Sequence, residues 1–120
     1  MNKIERLFLN LVKRGMLQVF KNGLIINTKT SNHIGQKKNG KYQRIGFKIK
    51  GKSVGMYVHR LIWIVFKGPI PHSKEINHKS GVKHENALRN LECVTASKNI
   101  RHAIETGLFI PGVSKGSDNG

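Results

Sequence analysis

A stretch of 69 residues without a carboxylate side chain separates Glu5 from Glu75, and it carries fifteen Lys or Arg residues. Because no acidic neighbour offsets these cations, a fold built from this stretch must present a strongly positive surface. The whole chain has 22 Lys and Arg against 6 Asp and Glu, a formal net charge of +16. Such self-repulsion argues against a free-standing metabolic enzyme and favours a polyanionic partner. Nucleic acid is the leading candidate, since phosphate neutralisation drives binding largely independently of base sequence.

The 120 residues fit one compact domain. No apolar run approaches the roughly 18 residues that cross a bilayer, and the basic residues do not follow one face of an amphipathic helix. The opening MNKIERLFLNLVKRG lacks a secretory apolar region and a cleavage site. The single Cys93 excludes an intramolecular disulfide and a cysteine-rich zinc cluster, and it is expected to be a buried apolar side chain. We therefore expect a cytoplasmic protein with no membrane contact and no structural zinc.

The N-terminal half is predicted to be a helix followed by a small, mostly antiparallel sheet. Residues 2–14 place apolar side chains at helical spacing, and Gly15 ends that pattern. Asn22-Gly23 and Lys50-Gly51 each separate two β-prone runs, which predicts two hairpins. Residues 31–41, SNHIGQKKNGK, have the composition of a mobile basic loop. Seven basic residues of this half are the candidate contacts with a nucleic-acid backbone: Lys37, Lys38, Lys41, Arg44, Lys48, Lys50 and Lys52.

The periodicity changes at His59, where HRLIWIVFKG predicts a short buried helix that Gly68-Pro69 terminates. EINH then predicts a brief strand, SGVKHENALRN a long loop and LECVT a second strand. Thr95 opens a helix that runs towards Thr106, where Gly107 ends it. Three further histidines fall in predicted loops and are expected at the surface: His33, His72 and His84.

His78 closes the first of these strands, with Asn77 directly before it. A neutral imidazole can take a proton from a water molecule that attacks a phosphodiester, while a divalent cation neutralises charge on the scissile phosphate. Oxygen ligands suit Mg²⁺ or Mn²⁺, and an Asn amide oxygen can replace a carboxylate. The only Asp is Asp118, which excludes a nuclease built on paired metal-binding aspartates. Taken alone, His78 would more often be a structural residue of a loop than a catalytic base.

The segment VHRLIWIVFKGPIPHSKEINHKSGVKHENALRNLECVTASKNIRHA resembles the HNH, or His-Me finger, endonucleases of phage and homing type. The resemblance is carried by VHRL, GPIP, INH, NL, E-x-V-T and S-x-N, in this order and at the family's spacing. It implies an α+β protein in three parts. A basic N-terminal helix and antiparallel sheet would occupy residues 1–56 and help to bind DNA. A ββα-metal HNH module would occupy residues 57–107, and a flexible tail residues 108–120.

The resemblance also implies roles for single residues. His78 would be the general base, and Asn90 would hold the loop and orient His78. Asn77 and Asn99 would ligate one Mg²⁺ or Mn²⁺, and His102, one helical turn after Asn99, would be a further ligand or a phosphate contact. Five further residues of the segment are candidate DNA contacts, and the first two are alternatively placed in the core of the module: His59, Arg60, Lys79, Lys83 and Arg101.

Three positions depart from the family pattern. Asn77 stands where many relatives have Asp, and the lost negative charge should weaken metal binding in the absence of DNA. Ser80 replaces an Asp of the turn, and Cys93 replaces an aromatic residue. We expect a monomeric, metal-dependent endonuclease that nicks double-stranded DNA, in the host-cell cytoplasm if phage-encoded. Two alternatives stay open: a catalytically inactive nucleic-acid-binding protein and an RNA-directed nuclease.

Overall fold

The computed structural model describes residues 1–98, and the predicted N-terminal helix is confirmed as α1, Lys3–Lys13. Its first turn forms a capping box: the Asn2 side chain accepts from the Glu5 N–H at 2.8 Å, and the Glu5 carboxylate accepts from the Asn2 N–H at 3.0 Å. Phe8 and Leu11 are buried on the inner face. The helix therefore has a fixed start and one apolar side that packs on the rest of the chain.

Three short antiparallel strands follow: β1 Leu17–Val19, β2 Ile25–Asn27 and β3 Asn32–Ile34, in the order β1-β2-β3. The hairpin predicted at Asn22-Gly23 joins the first two, and Gly23 adopts the positive φ of +95° that this turn requires. The interpretation of residues 31–41 as loop throughout was wrong, because β3 pairs with β2. Ile34 packs against the core there, and this single apolar contact is hidden in the sequence by turn-forming neighbours.

The second predicted hairpin is β4 Arg44–Ile49 and β5 Lys52–Tyr57, which turns at Lys50-Gly51. Both turn residues have positive φ, 50° and 79°, as a two-residue hairpin turn with the twist of its strands demands. This pair forms a sheet of its own, so the N-terminal half contains two sheets rather than the single predicted one. Alternation along β4 exposes the basic side chains of Arg44 and Lys48 to solvent.

The C-terminal elements are α2 Val58–Phe66, β6 Lys74–His78 and β7 Leu91–Thr95, as the change of periodicity predicted. The two strands pair antiparallel with His78 opposite Leu91. A short 3₁₀ turn, Leu88–Asn90, closes the loop between them. The Thr95 hydroxyl accepts from the Lys98 N–H at 3.3 Å and caps the helical turn at residues 96–98, beyond which the predicted helix lies outside the described residues.

One apolar core joins the two halves of the described chain. Fully buried side chains come from the N-terminal elements and from α2 alike: Phe8, Leu17, Ile25, Leu61 and Ile62. Arg60 of α2 forms a salt bridge of 2.7 Å with Glu5 of α1, and the Leu88 N–H donates to the Lys21 carbonyl at 2.7 Å. The expected boundary after residue 56 therefore does not divide the packing. Within residues 1–98, every helix is too short or too polar to cross a membrane.

Candidate active site

His78 ends β6 and is only 3% exposed, because three aromatic rings meet at this point. The His59 ring from α2 lies 4.8 Å from the His78 ring, centroid to centroid, and the Tyr42 ring lies 5.7 Å away in a stacked orientation. Tyr42 also stacks on His59 at 5.0 Å. The imidazole of His78 is therefore covered by residues from outside its own strand pair, one of them from the N-terminal half.

A chain of buried amide groups reaches the other edge of the His78 ring. Its Nε2 lies 2.7 Å from the Asn86 Oδ1, and the Asn86 Nδ2 donates to the Gln43 Oε1 at 2.8 Å. The Gln43 Nε2 donates in turn to the main-chain carbonyl of Lys37 at 3.3 Å. Sequence reasoning missed both amides. Asn86 sits in a loop of exposed composition, and Gln43 lies 43 positions from its partner.

The surroundings keep both neighbouring imidazoles neutral. Burial lowers the pKa of His78, with Lys83 and His84 acting in the same direction against the Asn86 hydrogen bond and Glu85. Burial, reinforced by His78 and Arg60, lowers the pKa of His59 to about 3. A neutral imidazole at neutral pH is the protonation state that a general base needs.

Asn90 pins the loop that follows His78. Its Oδ1 accepts from the Ser80 N–H at 3.0 Å, and its Nδ2 donates to the Ser80 Oγ at 3.1 Å and to the Glu85 carbonyl at 2.8 Å. Its own carbonyl accepts from the Lys79 N–H at 2.7 Å, one residue after His78. Ser80, which departs from the family pattern, also donates from Oγ to the Glu85 Oε1 at 2.7 Å. Asn90 thus holds the loop through backbone and side-chain bonds, and its role in orienting His78 stays a prediction.

Asn77 lies opposite Glu92 in the strand pair, and its Nδ2 donates to the Glu92 Oε2 at 2.9 Å. The bond uses the amide nitrogen of Asn77, so Oδ1 is the atom of this side chain that could bind a cation. The Glu92 carboxylate lies next to the same amide group. Sequence reasoning missed Glu92, although aligning the two predicted strands would have paired it with Asn77. No group of three or more His, Cys, Asp or Glu in residues 1–98 could hold a metal ion. Asn99 and His102, the other implied ligands, lie outside those residues.

Residues 56–101 match the family model described as HNH endonuclease. Over 90 residues the chain is 35% identical to L247, an uncharacterized HNH endonuclease of Acanthamoeba polyphaga mimivirus, covering 72% of this chain and 23% of that protein. It is 41% identical over 69 residues to YosQ of Bacillus subtilis (strain 168), whose name describes a candidate HNH homing endonuclease of the SPbeta prophage, with 57% and 40% covered.

A solved structure, of DNA binding and cleavage by the HNH homing endonuclease I-HmuI, superposes with a TM-score of 0.68 at 29% identity. It covers 80% of this chain and 56% of that protein. Residues 56–101 therefore carry the sequence pattern of the HNH endonuclease family. The chain spans between about a quarter and somewhat over half of the length of these relatives.

The basic residues around the HNH module divide by exposure. Eight of the expected DNA contacts are exposed: Lys37, Lys38, Lys41, Arg44, Lys48, Lys50, Lys52 and Lys79. Lys83 is half-buried, with its Nζ 4.9 Å from the Tyr42 ring centroid. His59 is 1% exposed and belongs to the core, so its burial argues against a direct DNA contact. Arg60 directs its guanidinium to Glu5 and away from that role, and Arg101 lies outside the described residues.

The remaining expectations about side chains concern the surface. His33, His72 and His84 are exposed, as predicted, although His33 lies on β3 and not in a loop. Cys93 is a free, half-buried thiol that packs against the core rather than within it. It lies on β7, next to Glu92, at a strand position where half-burial is normal.

Proposed function

We propose that this chain is a divalent-metal-dependent DNA endonuclease in which His78 is the general base. The observation that carries the proposal is the environment of His78: a buried, neutral imidazole at the end of the ββ hairpin, with one nitrogen bonded to the Asn86 amide oxygen. The bond to Asn86 uses Nε2, so the proposal assigns the other ring nitrogen, Nδ1, to the attacking water molecule. The names of the relatives support a role of this kind in a viral or prophage setting.

The chemistry assigned to His78 is proton removal from a water molecule. The water oxygen forms a bond to the phosphorus, the phosphorus–3′ oxygen bond breaks, and the leaving oxygen takes a proton from solvent. Tyr42 stacks on the imidazole and the tilted His59 ring packs against it, so the plane of the His78 ring, and with it the lone pair of the remaining nitrogen, has a defined direction. Asn90 supports this position by holding the segment that follows His78.

The donor atoms beside His78 fit a hard cation. Asn77 and Glu92 supply amide and carboxylate oxygens, and the proposal adds Asn99 and His102, which lie outside the described residues. Mg²⁺ keeps several waters and takes few protein ligands, which suits so small a set. A bound Mg²⁺ or Mn²⁺ would neutralise charge on the scissile phosphate and on the leaving oxygen. The Glu92 carboxylate supplies the negative charge that is missing because residue 77 is Asn and not Asp.

Double-stranded DNA is the proposed substrate because the exposed lysines and arginines are spread over both halves of the molecule. Arg44 and Lys48 project from the solvent face of β4, and Lys50 and Lys52 surround its turn. Contacts of this kind position a duplex without reading its sequence. With one His78 centre per chain, a monomer would cut one strand at a time.

The test is conversion of supercoiled plasmid to open circle in Mg²⁺, in Mn²⁺ and in EDTA. We expect nicking with either metal and none in EDTA or with His78→Ala. An accumulation of open circle before linear product would support single-strand nicking. Plasmid that stays supercoiled in both metals, yet shifts on a gel, would instead identify an inactive DNA-binding protein. Faster cleavage of matched RNA than of DNA would identify an RNA-directed nuclease.

A further inference from the structure

The amide chain that ends on His78 has a direction fixed at its far end. A main-chain carbonyl only accepts hydrogen bonds, so the group that Gln43 presents to the Lys37 carbonyl must be its NH₂. Gln43 therefore turns its Oε1 towards Asn86, which must answer with its own NH₂. Asn86 in turn presents Oδ1 to His78, and an oxygen acceptor requires an N–H donor on Nε2.

We infer that Gln43 and Asn86 are positioning residues that hold His78 in the tautomer with the proton on Nε2. Nδ1 is then the nitrogen with the free lone pair, and it is the atom that would accept a proton from water. The inference rests on the proposed function for its catalytic meaning. The tautomer itself is a property of the protein without metal or DNA and can be measured separately.

Burial makes this chain of bonds selective. Gln43 is 7% exposed, Asn86 4% and His78 3%, so water competes little for the two buried bonds that join these side chains. If either amide reversed, two donors or two acceptors would face each other inside the protein, and such a mismatch is costly where no water can relieve it. One orientation of both amides, and hence one tautomer, is therefore strongly favoured.

The chain of bonds also crosses from the N-terminal half into the HNH module. Gln43 lies outside the segment that matches the family, residues 56–101. Its main-chain carbonyl accepts from the Val58 N–H at 2.9 Å, which ties it to the first turn of α2 as well. Lys37, at the far end, lies in the basic loop before β4. A bond chain that begins in the basic loop thus sets the tautomer of His78, the proposed general base.

The first measurement is the ¹⁵N spectrum of the wild-type imidazoles at about pH 8, where His78 is neutral. We expect a pyrrole-type shift for Nε2 and a pyridine-type shift for Nδ1 of His78. The opposite assignment, or an averaged pair of shifts, would overturn the inference without any variant. His78→Gln, which lacks the imidazole, assigns the signals.

The second measurement compares Gln43→Met with Gln43→Glu, a pair of similar length. Met removes both bonds and frees Asn86 to reverse, so we expect averaged His78 shifts and a nicking rate at saturating DNA reduced about tenfold or more. Glu keeps an oxygen towards Asn86, so Gln43→Glu should retain the wild-type His78 shifts and the wild-type nicking rate. The DNA dissociation constant should change less than about twofold in Gln43→Met, because that variant changes no charge.

A merely structural role for Gln43 predicts a different pattern. Thermal stability and nicking would fall together in both variants, while the His78 shifts stayed as in the wild type, and this result would overturn the inference. Should Gln43→Met not fold, Asn86→Asp replaces it. The carboxylate introduced at position 86 still accepts from His78 Nε2, so we expect the His78 nitrogen shifts to stay as in the wild type. Averaged shifts would contradict the inference that residue 86 fixes the tautomer. A wild type with the expected tautomer but no nicking would refute the proposed function alone.

Discussion

Gly23 lies so close to Asn86 that a Cβ atom on the glycine would stand 2.8 Å from the Asn86 carbonyl carbon and 3.0 Å from its oxygen. The turn of the first hairpin therefore touches the main chain of the residue that bonds His78. Real Cβ atoms do not approach backbone atoms this closely, so the contact exists only because residue 23 is glycine. The N-terminal hairpin thereby fixes part of the loop that supports the proposed active site.

Gly23→Ala should consequently reduce nicking more than its effect on folding explains. The new methyl group must push the Asn86 backbone away, and a displaced Asn86 no longer reaches His78 Nε2 at 2.7 Å. We expect a loss of about 1–3 kcal/mol in unfolding free energy, from the positive φ and the overlap together. The nicking rate, measured under conditions where the variant is fully folded, should fall by about tenfold or more.

Gly40→Ala is the matched control for that variant. Gly40 has a similar positive φ of +78°, but a Cβ there would have nothing within 4 Å. The same class of backbone strain should therefore cost stability at both sites, while only the Gly23 variant loses activity. Equal activity of the two variants would show that the contact with Asn86 does not matter for the reaction.

His59 predicts an acid-labile fold. Its pKa is about 3 in the folded protein and about 6.5 in the unfolded chain, so the unfolded state binds more protons between these values. The stability that a neutral His59 provides is therefore complete above about pH 6.5 and is lost as the pH falls. The lowered pKa of His78 acts in the same direction. We expect the unfolding free energy to drop by about 2 kcal/mol or more from about pH 7 to pH 5.

Urea titrations of His59→Phe over a pH series measure how much of the pH dependence of the unfolding free energy comes from His59. His72→Phe is the control. Phe retains an aromatic ring against Tyr42 and His78 but cannot take up a proton, so His59→Phe should lose much of the pH dependence. His72 is exposed, and its replacement should leave the dependence as in the wild type. Parallel pH curves for the two variants would contradict the assignment.

Local sequence patterns predicted the elements of this fold because each depends on neighbours within a few positions. The helical spacing before Gly15, the Asn22-Gly23 turn and the strand that ends at His78 are of this kind. The proposed roles of His78 and Asn90 came from motif spacing, which is also local. The Asn77–Glu92 pair was within reach of the same reasoning, since strand register alone brings it together.

Polar residues with distant partners could not be predicted in this way. Gln43 and Asn86 are buried because they satisfy each other across 43 positions, and Glu5 is buried because Arg60 reaches it across 55. A polar side chain in a loop is normally exposed, so its own neighbourhood gives the opposite expectation. Only the packing of the two halves reveals that these residues form the interface on which the site depends.

Arg60→Met should destabilise the fold and leave DNA binding largely unchanged. Glu5 is 4% exposed, and without Arg60 its carboxylate would be buried with no cation beside it and only the Asn2 N–H as a donor. We expect a loss of about 2–3 kcal/mol in unfolding free energy. Adding Glu5→Gln, which keeps an acceptor for the Asn2 cap, should recover part of it in a double-mutant cycle. A large loss of DNA affinity in folded Arg60→Met would show that Arg60 contacts DNA, although its ion pair with Glu5 argues against such a contact.

Lys48→Ala should reduce the salt dependence of DNA binding. An exposed lysine that neutralises one phosphate contributes about 0.9 to the slope of log affinity against log salt concentration. Lys48 lies on the solvent face of β4, beside the turn at Lys50-Gly51. Lys13→Ala, at the end of α1 and outside the proposed surface, is the control and should retain the wild-type slope. Fluorescence anisotropy with one duplex over a salt series gives both slopes.

Glu92→Gln should raise the metal concentration that nicking requires. The change is isosteric and leaves an amide oxygen to accept from Asn77 Nδ2, so the strand pair is expected to remain intact. It removes the only carboxylate hydrogen-bonded to Asn77 among residues 1–98, and with it the charge that a divalent ion would face. We expect the Mg²⁺ concentration for half-maximal nicking to rise about tenfold, in the range that loss of a metal-supporting group usually causes. Glu85→Gln controls for charge alone: Glu85 lies in the same module, but it bonds Ser80 and not Asn77. If both variants shift the Mg²⁺ requirement equally, general electrostatic attraction accounts for the effect, and Glu92 has no special relation to the metal.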